Sequence, residues 1–295
     1  VPKLTIVVNC TDRKSLDPAP HLRIGSLPRG DLATRFEAWR ERVEKAQPEV
    51  RLVDLYQGEA WQQVRGLEKD AQEAGYGVQT MVASAGLGLR DVSSRASAYA
   101  ATFAGGHADS VASGAAGLRD WWQRLNSLSS AKSLITDTGD RVVLVLSETY
   151  ARSMDDDLVR LANRGGDILL VGGARDIDGL PRLPANAALR ACLGGTVSSV
   201  GLRMARRWMR QRTGANLHDQ SDARAWSDWA RSVAQVERFD RAPTTDGQIG
   251  DLIDKLLDDQ PDLSATRALR LIRDGGVACE QKRFGSIFRA RTALR

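Results

Sequence analysis

Cysteine and histidine are scarce in this sequence, with three of each, and Cys10, Cys192 and Cys279 stand far apart. No Cys-x-x-Cys pair exists, and the His107-Ala108-Asp109-Ser110 cluster has no second histidine cluster to join, so no metal site and no cofactor are expected. An odd number of scattered cysteines fits a reducing compartment in which cysteine chemistry is thiol chemistry. Runs of about 18 uncharged apolar residues, the length of a membrane-spanning helix, are also missing. The first residues read as a strand and not as a charged-then-apolar leader. These absences predict a soluble, cytoplasmic protein with no membrane partner. Internal repeats and low-complexity segments are absent as well.

What is present is ordinary globular material, 42% apolar and 27% charged, in 295 residues, long enough that two domains are the default. The net charge of +5 is modest, but it is clustered. Between Ser264 and Arg295 eight Lys or Arg face two acids, and Arg203 to Arg212 holds five arginines and no acid. Clustered positive charge is the footprint of a phosphate-backbone partner.

Leu4-Thr5-Ile6-Val7-Val8 reads as a buried strand that delivers Asn9-Cys10-Thr11 at its carboxyl end. A loop with Pro18, Pro20, Gly25, Pro28 and Gly30 precedes a helix capped by Asp31 and running to about Ala46. Val50 to Tyr56 reads as a second strand and Trp61 to Ala74 as a helix stopped by Gly75. Val78 to Ala83 reads as a third strand, breaking into Ser84-Ala85-Gly86-Leu87-Gly88. Val142 to Leu146 and Ile168 to Val171 are further strands, ending in Ser147-Glu148-Thr149-Tyr150 and Gly172-Gly173, with Asp155 to Asn163 as the crossover helix between them. This alternation predicts an α/β fold, a mostly parallel sheet flanked by helices over residues 1–200. In such sheets ligands sit outside the carboxyl ends of the strands, so the polar and glycine clusters there should converge. Residues 201–241 read as a basic helical connector, and 242–295 as a smaller helical module resembling a winged helix or helix-turn-helix. In that module Asp246 to Leu257 and Ser264 to Asp274 are the helices, with Gly275-Gly276 and a terminal piece from Val277 to Phe288 after them.

Cys10 stops a strand beside Asp12, Arg13 and Lys14, and a thiol near cations becomes a usable nucleophile, although a small buried cysteine at a strand end has the same pattern. The Ser84 to Gly88 turn reads as a pocket wall or an ordinary tight turn, and it lacks the Lys-Ser/Thr of a P-loop. Glu148 stands where a general acid or base would, or else belongs to a helix cap. His107 to Ser110 reads as the end of one helix and the cap of another. Arg203, Arg206, Arg207 and Arg210 form a helical stripe; a solvated face is the usual meaning, but with no acid interrupting it phosphate contact is the favoured reading. Ser264 reads as an N-cap for the helix carrying Arg267, Arg270 and Arg273 three apart, with Lys282 and Arg283 completing the nucleic-acid-binding set.

Taken together, Val7-Val8-Asn9-Cys10-Thr11-Asp12-Arg13-Lys14-Ser15, Leu55-Tyr56-Gln57-Gly58, and Ser84-Ala85-Gly86-Leu87-Gly88-Leu89 with the downstream Tyr99 resemble a known pattern. It is that of the uracil-glycosylase-like domain of archaeosine synthase and its bacterial relatives, which handle 7-deazaguanine bases. The likeness extends to about Arg175, and Lys14-Ser15-Leu16 stands where the archaeosine motif continues Lys-Pro-Tyr-Ser. With its basic terminal module the whole is most similar to the DpdC family of the bacterial 7-deazaguanine DNA-modification cluster, whose members convert 7-cyano-7-deazaguanine in DNA to the 7-amido base. The resemblance implies nitrile hydration, with Cys10 as a nucleophile forming a thioimide and Asp12 or Glu148 as acid and base. It also implies the Ser84 to Gly88 turn as donors to developing charge, Asn9, Thr11, Lys14, Gly58 and Ser147 in the substrate pocket, and Tyr56, Trp61 and Tyr99 as stacking rings. The implied partners are DNA carrying a modified guanine and other proteins of the modification system. Two other classes stay open: a nucleic-acid-binding defence or regulatory protein whose α/β domain senses a nucleotide, and a base or nucleoside hydrolase with a carboxylate-activated water.

Overall fold

In the computed structural model, which describes residues 1–235 and 242–293, the apolar run after Pro2 forms β1 (Lys3–Asn9) with its centre buried on both faces. The Asp31 carboxylate accepts the Thr34 N–H at 2.8 Å and caps α1 (Leu32–Lys45), as the sequence predicts. Strand β2 (Val50–Arg51) then gives way to one helical turn, α2 (Leu52–Leu55), before α3 (Glu59–Glu73). The strand expected from Val50 to Tyr56 is therefore corrected. A helical turn puts Leu52 and Leu55, three apart, both in the core, and a short apolar run does not separate that period from a strand's.

β3 (Gly77–Ser84) and β4 (Gly88–Asp91) make a tight antiparallel hairpin, and β5 (Arg95–Ala96) pairs with β2. No helix enters or leaves His107 to Ser110, contrary to expectation. The Asp109 carboxylate instead accepts the Gly25 N–H at 3.0 Å, and the Asp109 N–H donates to His107 Nδ1 at 3.0 Å, local bonding that competes with helix formation. Then come α4 (Gly114–Leu125), β6 (Arg141–Leu146), α5 (Glu148–Ser153), α6 (Asp155–Arg164), β7 (Asp167–Gly172) and β8 (Arg182–Leu183).

The sheet runs β4-β3-β1-β6-β7-β8, parallel throughout except for the β3–β4 pair. The chain is thus α/β, with a six-stranded, mostly parallel sheet flanked by helices. From β1 it moves to β3 on one side and returns to the other side of β1 as β6. The carboxyl ends of β1 and β6 therefore flank the topological switch point, where an open α/β sheet leaves a crevice for ligands.

Helices α7 (Arg190–Leu193), α8 (Val200–Gln211) and α9 (Gln220–Val233) belong to the same unit, Val1–Gln235, so residues 201–235 are not a connector. Leu202, Met204, Ala205, Trp208 and Met209 lie in the core that includes the sheet, and α8 packs against α3. The rest of that expected connector, residues 236–241, lies outside the described residues.

The second unit, which begins after Gln235, contains β9 (Ala242–Pro243), α10 (Asp246–Asp259), α11 (Ala265–Asp274), β10 (Val277–Ala278) and α12 (Gln281–Thr292). Its helices enclose Ile249, Ile253, Leu257, Leu269, Ile272 and Phe284. Ser264 caps α11, as expected, accepting the Arg267 N–H at 3.4 Å. After Gly276 the described residues form β10, parallel to β9, and then α12, in place of a hairpin wing. No described helix is long and apolar enough to cross a membrane.

Candidate active site

The register of β1 between β3 and β6 carries Asn9 and Cys10 to the switch point, where the Cys10 N–H donates to Ala83 O at 2.9 Å. Across the crevice the chain leaves β6 through Ser147, whose N–H donates to Asn9 Oδ1 at 3.0 Å and whose hydroxyl accepts the Tyr150 N–H at 3.4 Å as the N-cap of α5. This short turn lays the Tyr150 hydroxyl 3.0 Å from the Cys10 sulfur, while its ring meets Phe103 edge-on at 4.9 Å. Cys10 is half-buried, so the thiol is neither sealed in the core nor loose in water. Among the described residues no group of His, Cys, Asp and Glu gathers that would hold a metal ion.

Behind the thiol lies a chain of hydroxyls. Ser84 Oγ accepts the Gly86 and Leu87 N–H groups at 3.1 and 3.0 Å, which fills both of its lone pairs. Its own hydrogen must then go to Tyr99 Oη at 2.6 Å, and Tyr99 in turn donates to Tyr56 Oη at 2.7 Å. Tyr56 is left as the terminal donor. Gly86 is required here because a Cβ would meet the Tyr99 ring at 2.6 Å. Burial, reinforced by the negative charge that Cys10 develops, pushes the phenols of Tyr56, Tyr99 and Tyr150 well above their ordinary range. All three are therefore neutral donors at physiological pH.

Lys14 supplies the positive charge. Its ammonium lies 4.7 Å from the Tyr99 ring centroid and 5.9 Å from that of Tyr56, and it donates to the Thr11 and Asp12 carbonyls, both at 3.4 Å. Thr11 Oγ1 ties the same turn to Gln57 O at 3.2 Å. Alongside, Tyr56, Gln57, Gly58, Trp61, Gln62 and Arg65 line a cleft of about 180 Å³.

Other expected site residues lie differently. Glu148 is exposed and bound to Arg152 at 2.6 Å, in the first turn of α5; the residue this loop presents to the thiol is Tyr150. Asp12 is exposed on its turn. The Ser84 to Gly88 turn is sealed and offers no open donor wall. Its Gly86 and Leu87 amides are taken by Ser84, and its Ala85 and Gly86 carbonyls accept the indole N–H groups of Trp121 and Trp39 at 2.8 and 2.7 Å. Tyr56, Trp61 and Tyr99 are buried too, with Trp61 donating to Val53 O at 3.1 Å, so none stands free as a stacking platform. Sequence reasoning missed Arg90, which is buried and donates to Ser130 Oγ at 2.9 Å and Arg95 O at 3.1 Å; burial holds its guanidinium below the usual range. An arginine inside an apolar β-hairpin was the available signal.

The arginine stripe of α8 finds its acids on α3. Arg203 binds Glu59 at 2.6 Å, Arg206 binds Asp70 at 2.7 Å and Gln63 at 2.8 Å, and Arg210 comes within 3.9 Å of Asp70. Arg207 stacks 3.7 Å above the Trp229 ring. The reading as phosphate contacts is corrected for Arg203 and Arg206, which are acid-free in sequence but paired in space, while Arg207 faces an indole and Arg210 stays more than half exposed. Because Asp70 is almost fully buried, Arg206→Ala leaves its carboxylate only the looser contact with Arg210 at 3.9 Å and should cost about 3 kcal/mol in urea unfolding. A change below about 1 kcal/mol, the range of exposed pairs, would contradict this assignment.

In the second unit Arg267 and Arg270 are exposed on α11, the latter 3.7 Å from Asp274. Arg273 donates to Cys279 O at 2.7 Å, and Arg283 binds Asp246 at 2.6 Å and Thr244 O at 2.8 Å. The side chain of Lys282 lies outside the described residues.

No protein-family model, curated protein or solved structure matches this chain.

Proposed function

We propose that the chain hydrates a nitrile on a nucleobase, 7-cyano-7-deazaguanine in DNA, to the 7-amido base, as its resemblance to the DpdC family implies. The observation that carries this reading is the half-buried Cys10 thiol 3.0 Å from the neutral Tyr150 hydroxyl at the switch point of the sheet. A nitrile carbon is an electrophile suited to a thiol, and its nitrogen needs one proton as sulfur adds. Cys10 sulfur bonds to carbon while the thiol proton passes through Tyr150 Oη to nitrogen, giving a thioimidate. Water then adds to the same carbon, one of its protons going to nitrogen and the other to sulfur as the C–S bond breaks, and the amide departs. A hydrolase with a carboxylate-activated water is the weaker account, since Glu148 is exposed and held by Arg152.

The test is direct: an oligonucleotide carrying the cyano base, incubated with the protein and digested to nucleosides, should yield a base heavier by one water. An unchanged nitrile with folded protein overturns the reading. DNA is held, on this proposal, by the second unit through Arg267 and Arg270. Reversing both to Glu should weaken DNA binding and flatten its salt dependence by roughly 0.7–0.9 in log–log slope for each phosphate that is no longer neutralised. An unchanged slope removes α11 from the interface.

A further inference from the structure

A second opening lies on the same edge of the first unit, behind the aromatic pair that backs the thiol. Phe103, which meets Tyr150, also forms part of its wall, and the cleft encloses about 630 Å³. Two elements bring positive charge to it, Arg35 from α1 and Arg152 from α5, and the intervening loop adds the imidazole of His107, with no Asp or Glu lining the cleft. Arg35 donates to Val111 O at 3.0 Å and has no carboxylate partner among the described residues. Among the described residues Arg152 pairs only with the solvent-exposed Glu148, a pair that an incoming anion displaces at little cost. The Asp109 N–H donates to His107 Nδ1, which leaves the imidazole proton on Nε2 as a donor.

The backbone offers donors as well. The N–H groups of Gly105 and Gly106 are taken by no other described residue, and a Cβ added at Gly105, Gly106 or Gly114 would meet nothing within 4 Å. The rim is thus bare where a ligand would approach closely. Phe103, Ala112 and Leu118 give the cleft an apolar side.

We propose that this cleft is a phosphate site that takes a phosphate-bearing ligand of mononucleotide size. Arginine forks with free amides match a phosphate's oxygens, the apolar side suits a sugar or base, and the volume falls within the roughly 300–1,000 Å³ of small-ligand sites. The proposal does not depend on the chemistry at Cys10.

Calorimetric titration of the full chain with deoxyguanosine monophosphate, deoxyguanosine and inorganic phosphate tests it. The nucleotide should bind more tightly than either fragment. Arg152→Ala should weaken it by roughly tenfold or more, the worth of a charged hydrogen bond. Gly105→Val should weaken it as much by filling the rim; Gly105 is exposed and not in the left-handed region, so the fold should be kept, which circular dichroism checks. Nucleotide bound no more tightly than deoxyguanosine overturns the phosphate site. Nucleotide bound no more tightly than phosphate overturns the mononucleotide assignment, and wild-type affinity in both variants overturns the location.

Discussion

Cys10→Ala is expected to leave no measurable conversion of the cyano base, and Tyr150→Phe to slow it by roughly 10²–10⁴-fold, the usual worth of a positioned proton donor. The two variants separate the roles. Alanine removes the sulfur that bonds to carbon, so no thioimidate is trapped when the reaction is quenched with acid and the intact protein is weighed. Phenylalanine keeps the ring against Phe103 and loses only the hydroxyl 3.0 Å from sulfur, so the fold should lose about 1 kcal/mol while addition becomes slow. Glu148→Gln should stay near wild type, because that carboxylate is exposed and serves Arg152. Full turnover by Cys10→Ala would remove the thiol route. A large loss in Glu148→Gln would return the acid–base role to the carboxylate.

The sheet was legible because its strands are apolar runs closed by polar or glycine clusters, and β1, β3, β6 and β7 each carry that signature. Their order was not written in any run, but the rule that strand ends converge put Cys10 beside the loop after β6. Which side chain of that loop would face the thiol depends on the cap: with Ser147 at the N-cap, Glu148 turns to solvent and Tyr150 turns inward. The tyrosines expected as stacking rings are core residues joined through their hydroxyls, a distinction that depends on tertiary burial. Arg203 and Arg206 of α8 failed as a signal for the same reason, since Glu59 and Asp70 lie more than a hundred residues away in sequence. Local charge counts see only neighbours along the chain.

Alkaline unfolding should be steep, because three of the four tyrosines, Tyr56, Tyr99 and Tyr150, have phenols pushed above their ordinary value of 10.0 by burial and by Cys10. In the unfolded chain these phenols ionise near 10, so above that pH the unfolded state binds fewer protons than the folded one. Stability is therefore whole below about pH 10 and falls as pH rises toward the folded-state values. Each phenol contributes at most about 1.4 kcal/mol per pH unit, and the three together about 4. Urea titrations at stepped pH should show the decline, and phenolate absorbance should rise together with loss of helical circular dichroism. Tyr56→Phe should take about a third off the slope, since it removes one of the three protons. Phenolate absorbance from all four tyrosines near pH 10, with the helical signal intact, would mean that the hydroxyl chain behind Cys10 is open to water and is not the buried chain described above.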